Sequence, residues 1–294
     1  MFDLPTYLGE KRRLIDSALD EHLPGEQVRP EILHAAMRYC VFSEGKRLRP
    51  ILCLAATAAC EGDEGDALLP ALSLELLHTY TLIHDDLPCM DNSDLRRGQP
   101  AAHVRFGEAN AVLAGDALLT MAFEWLSQSH APAPWGPGQF AFELAQAAGS
   151  QGVIAGQVED LAAENKPPSE ADLEFIHLHK TAALIRAAVR MGAIAGGTEG
   201  DTLDALSLYG CKLGLAFQIT DDLLDEIGAT ETVGKPTGSD RAQQKLTSVS
   251  VHGEAAAREQ ARQQIEEALQ ALSSISGPTE PLEAIARHVL TRNR

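Results

Sequence analysis

The amino-acid sequence predicts an all-α fold built as a single domain over residues 1–294. Ten segments repeat apolar residues at positions i, i+3, i+4 and i+7, which is the helical period. Alternating runs of β-branched residues, which are typical of strands, are absent. Aromatic residues make up only 5% of the chain, whereas Ala and Leu, two strong helix formers, are abundant. No stretch separates regions of different composition as an interdomain linker would, so one domain is the simplest expectation.

The predicted helices follow one another with short breaks between them. The first four cover residues 14–23, 32–42, 50–60 and 68–86. Pro50 suits the first turn of the third helix, and Pro88 ends the fourth. The remaining six cover residues 109–128, 139–164, 171–197, 203–227, 254–272 and 281–293. Residues 130–138, 165–170 and 228–244 are rich in Pro, Gly and Ser and are predicted loops. The last of these is long enough to serve as a lid.

Charge and cysteine content exclude several classes of protein. The formal net charge of −18 argues against nucleic-acid binding, which requires a basic surface. The five cysteines are odd in number and form no CxxC pair, so neither a disulfide framework nor a zinc site is expected. The sequence contains no uncharged apolar run long enough to span a membrane and no signal-peptide core near its start. These features predict a soluble cytoplasmic protein.

The strongest functional signal is a repeated aspartate motif. The stretch IHDDL at Ile83–Leu87 recurs as ITDDL at Ile219–Leu223, each time near the C-terminal end of a long apolar helix. Asp221 and Asp225 are four residues apart and therefore project from one helical face. Clustered carboxylates repel one another, and a divalent cation relieves that repulsion. Mg²⁺ typically binds one or two protein carboxylates together with waters and phosphate oxygens. A single copy of the motif could be a solvated helix end, but two copies favour a metal–phosphate site.

Cations accompany both aspartate motifs. Lys46, Arg47 and Arg49 stand immediately before a predicted helix, where free backbone N–H groups also attract anions. Arg96 and Arg97 directly follow the first aspartate cluster and suit bidentate contacts to phosphate. Further candidate cations are Lys180, Lys235 and Lys245. Arg47, Lys235 and Lys245 could equally be ordinary surface cations. In so acidic a chain the arginine pair predicts a diphosphate held between metals and guanidinium groups.

Five motifs in this order resemble the trans-isoprenyl diphosphate synthases. They are GKRLRP, LELLHTYTLIHDDLPCMDNSDLRRG, LHKTAALIRAAVRMG, AFQITDDLLDEIG and GKPTGSD. The sequence is most similar to the bacterial short-chain farnesyl diphosphate synthase type. The resemblance implies an isoprenoid-synthase-type helical bundle around a central cavity, a homodimer and small-molecule diphosphate substrates. It also implies condensation of isopentenyl diphosphate with an allylic diphosphate using about three Mg²⁺ per active site, with Mn²⁺ as a substitute.

The resemblance implies roles for individual residues. The residues expected to bind metal are Asp85, Asp86, Asp91, Asp221 and Asp225. The residues expected to be catalytic are Asp85, Asp86, Asp91, Asp221 and Lys180. The allylic diphosphate would contact Arg96, Lys180, Thr181, Gln218, Lys235 and Lys245. Isopentenyl diphosphate would contact Lys46, Arg49, His78 and Arg97. Product length would depend on Tyr80 and Thr81, and an aromatic residue at position 80 implies a farnesyl product. Helical geometry, however, places Thr81 on the Asp85 face and Tyr80 away from it.

Other interpretations remain open at the level of sequence. Within the same family, a geranyl or geranylgeranyl diphosphate synthase would keep all of these motifs. A metal-dependent phosphohydrolase could use His34 and the His84–Asp85 pair, but it would leave the second aspartate motif unused. A non-catalytic subunit of a synthase would be expected to have lost one aspartate motif. A terpene cyclase would not need the cations near residue 46.

Overall fold

The structure, a computed structural model, describes residues 2–164, 166–227 and 245–292. Helices dominate these ranges, and the prediction of an all-α fold is confirmed. Their bounds are α1 Leu4–His22, α2 Glu31–Val41, α3 Leu48–Ala59, α4 Glu64–Asp85, α5 Ala102–Phe106, α6 Glu108–Ser127, α7 Gln139–Ala148, α8 Val153–Ala163, α9 Glu170–Ile176, a π-helix His177–Ala182, α10 Ala183–Ala195, α11 Gly200–Ile227, α12 Ser248–His252, α13 Glu254–Leu272 and α14 Glu280–Thr291. Within the described ranges, none of these helices is long and apolar enough to cross a membrane.

Helices α3, α4, α10 and α11 form the centre of the bundle. α4 packs against α3, α6 and α10, while α11 packs against α10 and α13. The middle of α4 is buried nearly all round, with Leu72, Leu74 and Leu76 fully enclosed. α3 and α10 approach so closely that a Cβ on Gly192 would lie 2.0 Å from the carbonyl oxygen of Cys53. This close contact requires glycine, and it fixes the two central helices against each other.

The predicted end of the fourth helix is confirmed. α4 ends at Asp85, and the chain turns back so that the Asp91 N–H donates to the Asp85 carbonyl at 2.9 Å. A short antiparallel hairpin follows, with β1 Leu95–Arg96 paired to β2 Gln99–Pro100. Its two turn residues, Arg97 and Gly98, have φ angles of 53° and 76°. Positive φ at both positions matches a type I′ hairpin turn. The turn therefore fixes the backbone that carries both candidate arginines, which sequence periodicity did not predict.

The prediction of a continuous helix is wrong for one segment, and a second segment contains a π-helical turn. The segment 139–164 is divided into α7 and α8, because the chain turns sharply at Gly149 and Gly152. A Cβ on Gly152 would lie 2.0 Å from the carbonyl oxygen of Ala147, so the turn depends on glycine. The segment 171–197 contains the π-helix between α9 and α10. A Cβ on Gly156 of α8 would lie 2.2 Å from the backbone nitrogen of Lys180, so α8 lies directly against this π-helix.

Candidate active site

A cleft of about 590 Å³ separates the ends of α4 and α11. The hairpin, the start of α3 and the π-helix close its sides. Its lining includes eleven of the residues predicted from sequence, namely Lys46, Arg49, His78, Thr81, Asp85, Arg96, Arg97, Lys180, Thr181, Gln218 and Asp221. A smaller cavity of about 190 Å³ shares Asp85 and Lys180 with the cleft and adds Asp91 and Lys245. The structure thus brings together residues that are widely separated in the sequence.

The two aspartate motifs contribute carboxylates to this space. Burial raises the pKa of Asp85 above the usual carboxyl range, and the neighbouring Asp91 raises it further, while Lys180 opposes the shift. Burial also raises the pKa of Asp221, against the attraction of Arg292. Burial raises both pKa values because it disfavours the charged form of a carboxyl. A bound cation would favour the charged form.

Asp86 differs from its neighbour. Its carboxylate is buried and accepts hydrogen bonds from the Arg96 Nε at 3.1 and 3.0 Å and from the Arg96 Nη2. The ion pair raises the pKa of Arg96, although burial opposes that effect. Because Asp86 already has a cationic partner, its position favours a role in holding Arg96 at the edge of the cleft. Its predicted metal role stays a prediction.

Two lysines and two carboxylates form a charged network in the smaller cavity. The Lys245 Nζ lies 3.0 Å from both carboxylate oxygens of Asp91 and 3.6 Å from Asp160. The Lys180 Nζ donates to the same Asp160 carboxylate. The two lysines hold the pKa of Asp160 below its usual range despite burial. Asp160 was not predicted, because one acid within an acidic helix carries no distinctive sequence signal. It places two ammonium groups beside the first aspartate motif.

A hydrogen-bonded chain of polar side chains links the π-helix to α11 and α12. The Thr181 hydroxyl donates to Gln218 Oε1 at 2.6 Å, and Gln218 Nε2 donates to Asp222 at 2.9 Å. Asp222 also accepts from the Ser248 N–H at 2.7 Å and lies 3.2 Å from His177 Nε2. Since a carboxylate only accepts, the Gln218 amide orientation is fixed. Asp222 therefore anchors the start of α12 to α11, close to Lys245.

The cations near α3 form the other half of the cleft. Lys46, Arg49 and Arg97 line it beside His78. Burial, reinforced by Arg49 and Arg97, holds the pKa of His78 well below its usual range, so this imidazole is neutral at pH 7. Burial lowers the pKa of Arg49 to about 10. Within the part of the chain that the structure describes, Arg49 Nε is buried without a hydrogen-bond partner. A buried donor of this kind fits an anionic ligand.

Arg47 is buried, so the expectation of a surface cation is wrong for this residue. It pairs with Glu75 and Asp16 in the wall of the cleft. Sequence reasoning also missed Gln157 and Arg292, which line the cleft. In the described ranges, both polar atoms of the buried Gln157 amide lack a hydrogen-bond partner. A buried, unpartnered amide is a signal that only the folded structure could provide.

Arg292 reaches the second aspartate motif from the end of α14. Its side chain is 4% exposed, and its Nη2 lies 2.8 Å from Asp221. The same Nη2 donates to the Phe217 carbonyl at 2.7 Å, and the guanidinium stands 3.8 Å from the centre of the Phe217 ring. Arg292 thus forms an ion pair with Asp221, a carboxylate that is predicted to bind metal.

Tyr80 and Thr81 occupy different sides of α4. Thr81 lines the cleft, as helical geometry predicts. Tyr80 is buried and packs edge-on against His84, with ring centroids 5.3 Å apart. His84 in turn approaches α6, where its Nε2 lies 3.1 Å from the Val112 carbonyl oxygen. Tyr80 therefore belongs to the contact between α4 and α6, and its role in product length stays a prediction.

Two predictions remain, for Asp225 and for the segment that contains Lys235. Asp225 is half-buried one turn beyond Asp221 on α11. Lys235 and the predicted lid at residues 228–244 lie outside the described residues.

The carboxylates fit a magnesium site of the open type. Across the described ranges, no three His, Cys, Asp or Glu side chains come together as a closed metal cage. Mg²⁺ does not need such a cage, because it usually combines one or two carboxylates with water and substrate phosphate oxygens. Asp85 and Asp221 both line the cleft and supply hard oxygen donors. Residues that could hold the metal are therefore present.

Comparisons with known proteins agree with this arrangement. Residues 30–279 match the polyprenyl synthetase family. The farnesyl diphosphate synthase of Escherichia coli K12 is 47% identical over 228 residues, covering 76% of this chain and 76% of that protein. A chloroplastic protein of Arabidopsis thaliana, the large subunit 1 of heterodimeric geranylgeranyl pyrophosphate synthase, is 43% identical over 99% of this chain and 80% of its own length.

A solved structure shares the whole fold. The apo crystal structure of an FPP/GFPP synthase from Zymomonas mobilis superposes with a TM-score of 0.83 at 38% identity and covers 98% of both chains. The predicted resemblance is confirmed, and the reaction class narrows to prenyl transfer, which removes the phosphohydrolase interpretation. The cleft, the two aspartate motifs and these similarities together establish that the chain belongs to the polyprenyl synthetase family.

Proposed function

We propose that this prenyltransferase condenses isopentenyl diphosphate with dimethylallyl or geranyl diphosphate and releases farnesyl diphosphate. The observation that carries the proposal is a single cleft lined by residues of both aspartate motifs and by cations from separate parts of the chain. One group, around Lys180 and Arg96, lies beside the first aspartate motif. The other, around Lys46 and Arg49, lies near the start of α3. Two cationic groups fit two diphosphate substrates.

The allylic diphosphate occupies the side with the aspartates in this proposal. Mg²⁺, bound by Asp85, Asp91 and Asp221, would neutralise charge on the diphosphate and so make it a good leaving group. Arg96 and Lys180 donate hydrogen bonds to the oxygens on which negative charge increases when the carbon–oxygen bond breaks. Their own partners, Asp86 and Asp160, hold them in position before substrate arrives.

The carbon chain of the allylic substrate lies against the Thr81 side of α4. After the carbon–oxygen bond breaks, the positive charge on the allylic carbon faces the oxygens of Thr181 and Gln218, whose orientation the Asp222 hydrogen bond fixes. The cleft walls keep water away from this cation, since water would trap it as an alcohol.

Isopentenyl diphosphate occupies the cations near α3. Lys46, Arg49 and Arg97 bind its diphosphate, and the neutral His78 offers a hydrogen bond without adding charge. The double bond of this substrate then attacks the allylic carbon. The resulting cation loses a proton to the departing pyrophosphate, which leaves the lengthened diphosphate and restores neutrality at carbon.

The length of the product is the most specific part of the proposal. The name of the E. coli relative supports a farnesyl product, whereas the name of the A. thaliana relative supports a geranylgeranyl product. Tyr80, buried beneath the first aspartate motif, supports the shorter product if its ring limits the depth available beside α4. Because the Tyr80 ring packs between α4 and α6, a smaller residue at this position would leave more space there for a longer product.

A homodimer is proposed as the assembled state. Large apolar side chains are exposed on adjacent helices, with Val104 on α5 and Val112 and Leu113 on α6. Leu113 is 55% exposed. Exposed apolar groups of this kind mark a protein contact when they are contiguous. Light scattering of the wild type and of Leu113→Glu tests this assembly, with a dimer expected only for the wild type.

Product analysis tests the reaction. The purified protein is incubated with Mg²⁺, isopentenyl diphosphate and either dimethylallyl or geranyl diphosphate, and the dephosphorylated alcohols are identified by mass. Farnesol is the expected product. Geraniol or geranylgeraniol would keep the reaction and refute the assigned length. No condensation with any allylic substrate would refute the catalytic proposal and favour a non-catalytic subunit.

A further inference from the structure

A buried ion pair lies directly beneath the cations assigned to isopentenyl diphosphate. The Arg47 side chain is 3% exposed, as is that of Glu75. The Arg47 guanidinium donates from Nε to Asp16 at 2.8 Å, from Nη1 to Glu75 at 2.8 Å and from Nη2 to the Val41 carbonyl at 2.6 Å. All three hydrogen bonds are made to protein groups, and only a small part of the side chain is exposed where Arg47 lines the cleft.

The backbone at Arg47 is held in an unusual conformation. Its φ and ψ angles are 53° and 34°, in the left-handed region that non-glycine residues rarely adopt. Such a conformation persists only where the surrounding structure enforces it. Here the three hydrogen bonds of the side chain supply that enforcement. The turn lies between Lys46 and Arg49, and it therefore decides where both of these cations are placed along the cleft.

Glu75 faces more than one cation. It lies one helical turn before His78 on α4 and lines the cleft together with Arg49 and Arg97. Its carboxylate counteracts the lowering of the pKa of Arg49 and Arg97 that burial causes. Arg97 lowers the pKa of Arg49 further, and Arg47 and Arg96 lower that of Arg97. Glu75 is thus the common counter-ion of the group.

Gly45 shows how tightly these cations are packed. A Cβ at this position would lie 2.9 Å from Arg97 Nη1 and 3.0 Å from Arg47 Nη1. Two guanidinium groups therefore flank the same stretch of backbone. Like charges at this spacing repel, and a buried carboxylate between the helices offsets the repulsion while no diphosphate is bound.

We propose that Arg47 and Glu75 are positioning residues for the isopentenyl diphosphate site, acting through Lys46, Arg49 and Arg97 rather than on substrate. Arg47 fixes the turn that carries Lys46 and Arg49, and Glu75 anchors Arg47 and holds the other arginines near it. The inference rests on the proposed function, since it assigns these cations to the second diphosphate.

The decisive variant replaces both members of the pair with Met. The double variant Arg47→Met/Glu75→Met removes one positive and one negative charge, so the net charge of the cleft is unchanged. Replacing a whole buried ion pair by apolar side chains of similar size is often neutral for stability, whereas removing one partner is strongly destabilising. Asp16, which also pairs with Arg47, is 34% exposed and keeps Arg12 at 3.5 Å in the variant. The double variant is therefore expected to fold, and its effect on substrate reports positioning.

The chain offers a matched control away from the cleft. Arg190 of α10 donates from Nε and Nη2 to the buried Glu143 of α7 at 2.7 and 2.8 Å. The double variant Arg190→Met/Glu143→Met removes an arginine–glutamate pair, 22% and 7% exposed, that lines neither of the two site cavities. If loss of a buried ion pair affected the enzyme only through general destabilisation, both double variants would behave alike.

Steady-state kinetics and direct binding provide the readout. For the Arg47/Glu75 double variant we expect the KM for isopentenyl diphosphate to rise about tenfold, which corresponds to about 1.4 kcal/mol. The KM for the allylic substrate and kcat at saturation should stay within about threefold of the wild type, because the aspartate side is untouched. The control variant should leave all three parameters unchanged. An unchanged KM for isopentenyl diphosphate in a folded Arg47/Glu75 variant would overturn the proposal.

Calorimetric titration with isopentenyl diphosphate alone separates this inference from the reaction itself. A wild type that binds isopentenyl diphosphate but forms no product refutes the proposed function, and the Kd of the variant still tests positioning. A tenfold weaker Kd supports the inference, and an equal Kd refutes it. A wild type that binds no isopentenyl diphosphate overturns both.

Discussion

Replacing Asp221 by Asn tests the metal role of the second aspartate motif most directly. Asn keeps the size and one oxygen of the side chain but removes its charge. Asp221 lines the same cleft as Asp85 and pairs with Arg292, and its side chain is 43% exposed. The change therefore removes one charged ligand from the proposed metal site and leaves the helix geometry intact.

The expected magnitude follows from the charge that is lost. Two unit charges 4 Å apart interact by about 4 kcal/mol at an effective dielectric constant of 20. At 1.36 kcal/mol per tenfold change, that energy corresponds to about a thousandfold in rate. The partial exposure of Asp221 weakens the interaction, so we expect kcat to fall by at least about a hundredfold. Loss of the partly exposed pair with Arg292 should cost at most about 1 kcal/mol of stability.

Initial rates of product formation, measured with a thermal melt of the same sample, distinguish these two effects. Asp204→Asn is the control, because Asp204 is exposed on the same helix about 25 Å before Asp221 at 1.5 Å per residue. The control should retain wild-type rates. A rate for Asp221→Asn within tenfold of wild type, in a folded protein, would refute the metal role of this carboxylate.

Three further outcomes are expected. Tyr80→Ala should lengthen the product by opening the wall between α4 and α6, and an unaltered product distribution by mass would assign Tyr80 to packing alone. Arg292→Gln should tighten Mg²⁺ binding by up to about fivefold, because a partly exposed pair with Asp221 contributes up to about 1 kcal/mol in competition with the metal; calorimetric affinities equal to those of the wild type would contradict this. Burial raises the pKa of Asp85, so the metal-free folded state retains its proton more tightly than the unfolded chain does. Between the usual carboxyl pKa and the raised value, the contribution of this carboxyl to the free energy of unfolding should therefore rise as the pH falls. Denaturant titrations across this range should show a weaker rise for Asp85→Asn, and equal slopes would count against the assignment.

Sequence periodicity was sufficient for most of the helices, since the buried face of each helix repeats with the helical period. It failed where the chain deviates for reasons of tertiary packing. The turn at Gly149 and Gly152 lies within an uninterrupted apolar pattern, and only the contact with the Ala147 carbonyl shows why glycine is needed there. The hairpin around Arg97 is too short to carry a period of its own.

The candidate site was predicted where residue type and local spacing carry the information. The repeated aspartates and the adjacent arginines belong to this class. Asp160, Glu75 and Arg292 do not, because each acquires its role from a partner far away in the sequence. Arg292 contacts Asp221 only when α14 lies beside α11, and Arg47 is distinguished from a surface cation only by the burial of Glu75.

The π-helix at His177–Ala182 makes the site depend on the number of residues in this segment and not only on their type. A π-turn contains one residue more than the α-turn it interrupts. Deleting a single residue from this segment would allow it to become a regular α-helix while α9 and α10 keep their relative orientation, because the deletion removes only the extra residue of the π-turn. Lys180 and Thr181, which lie within the segment, would then point in different directions around the helix axis, although every chemical group needed for the reaction would still be present in the chain. A shortened protein of this kind could be well folded and inactive, and an inventory of its side chains would not reveal the defect. The spacing of residues is as much a part of this site as their identity.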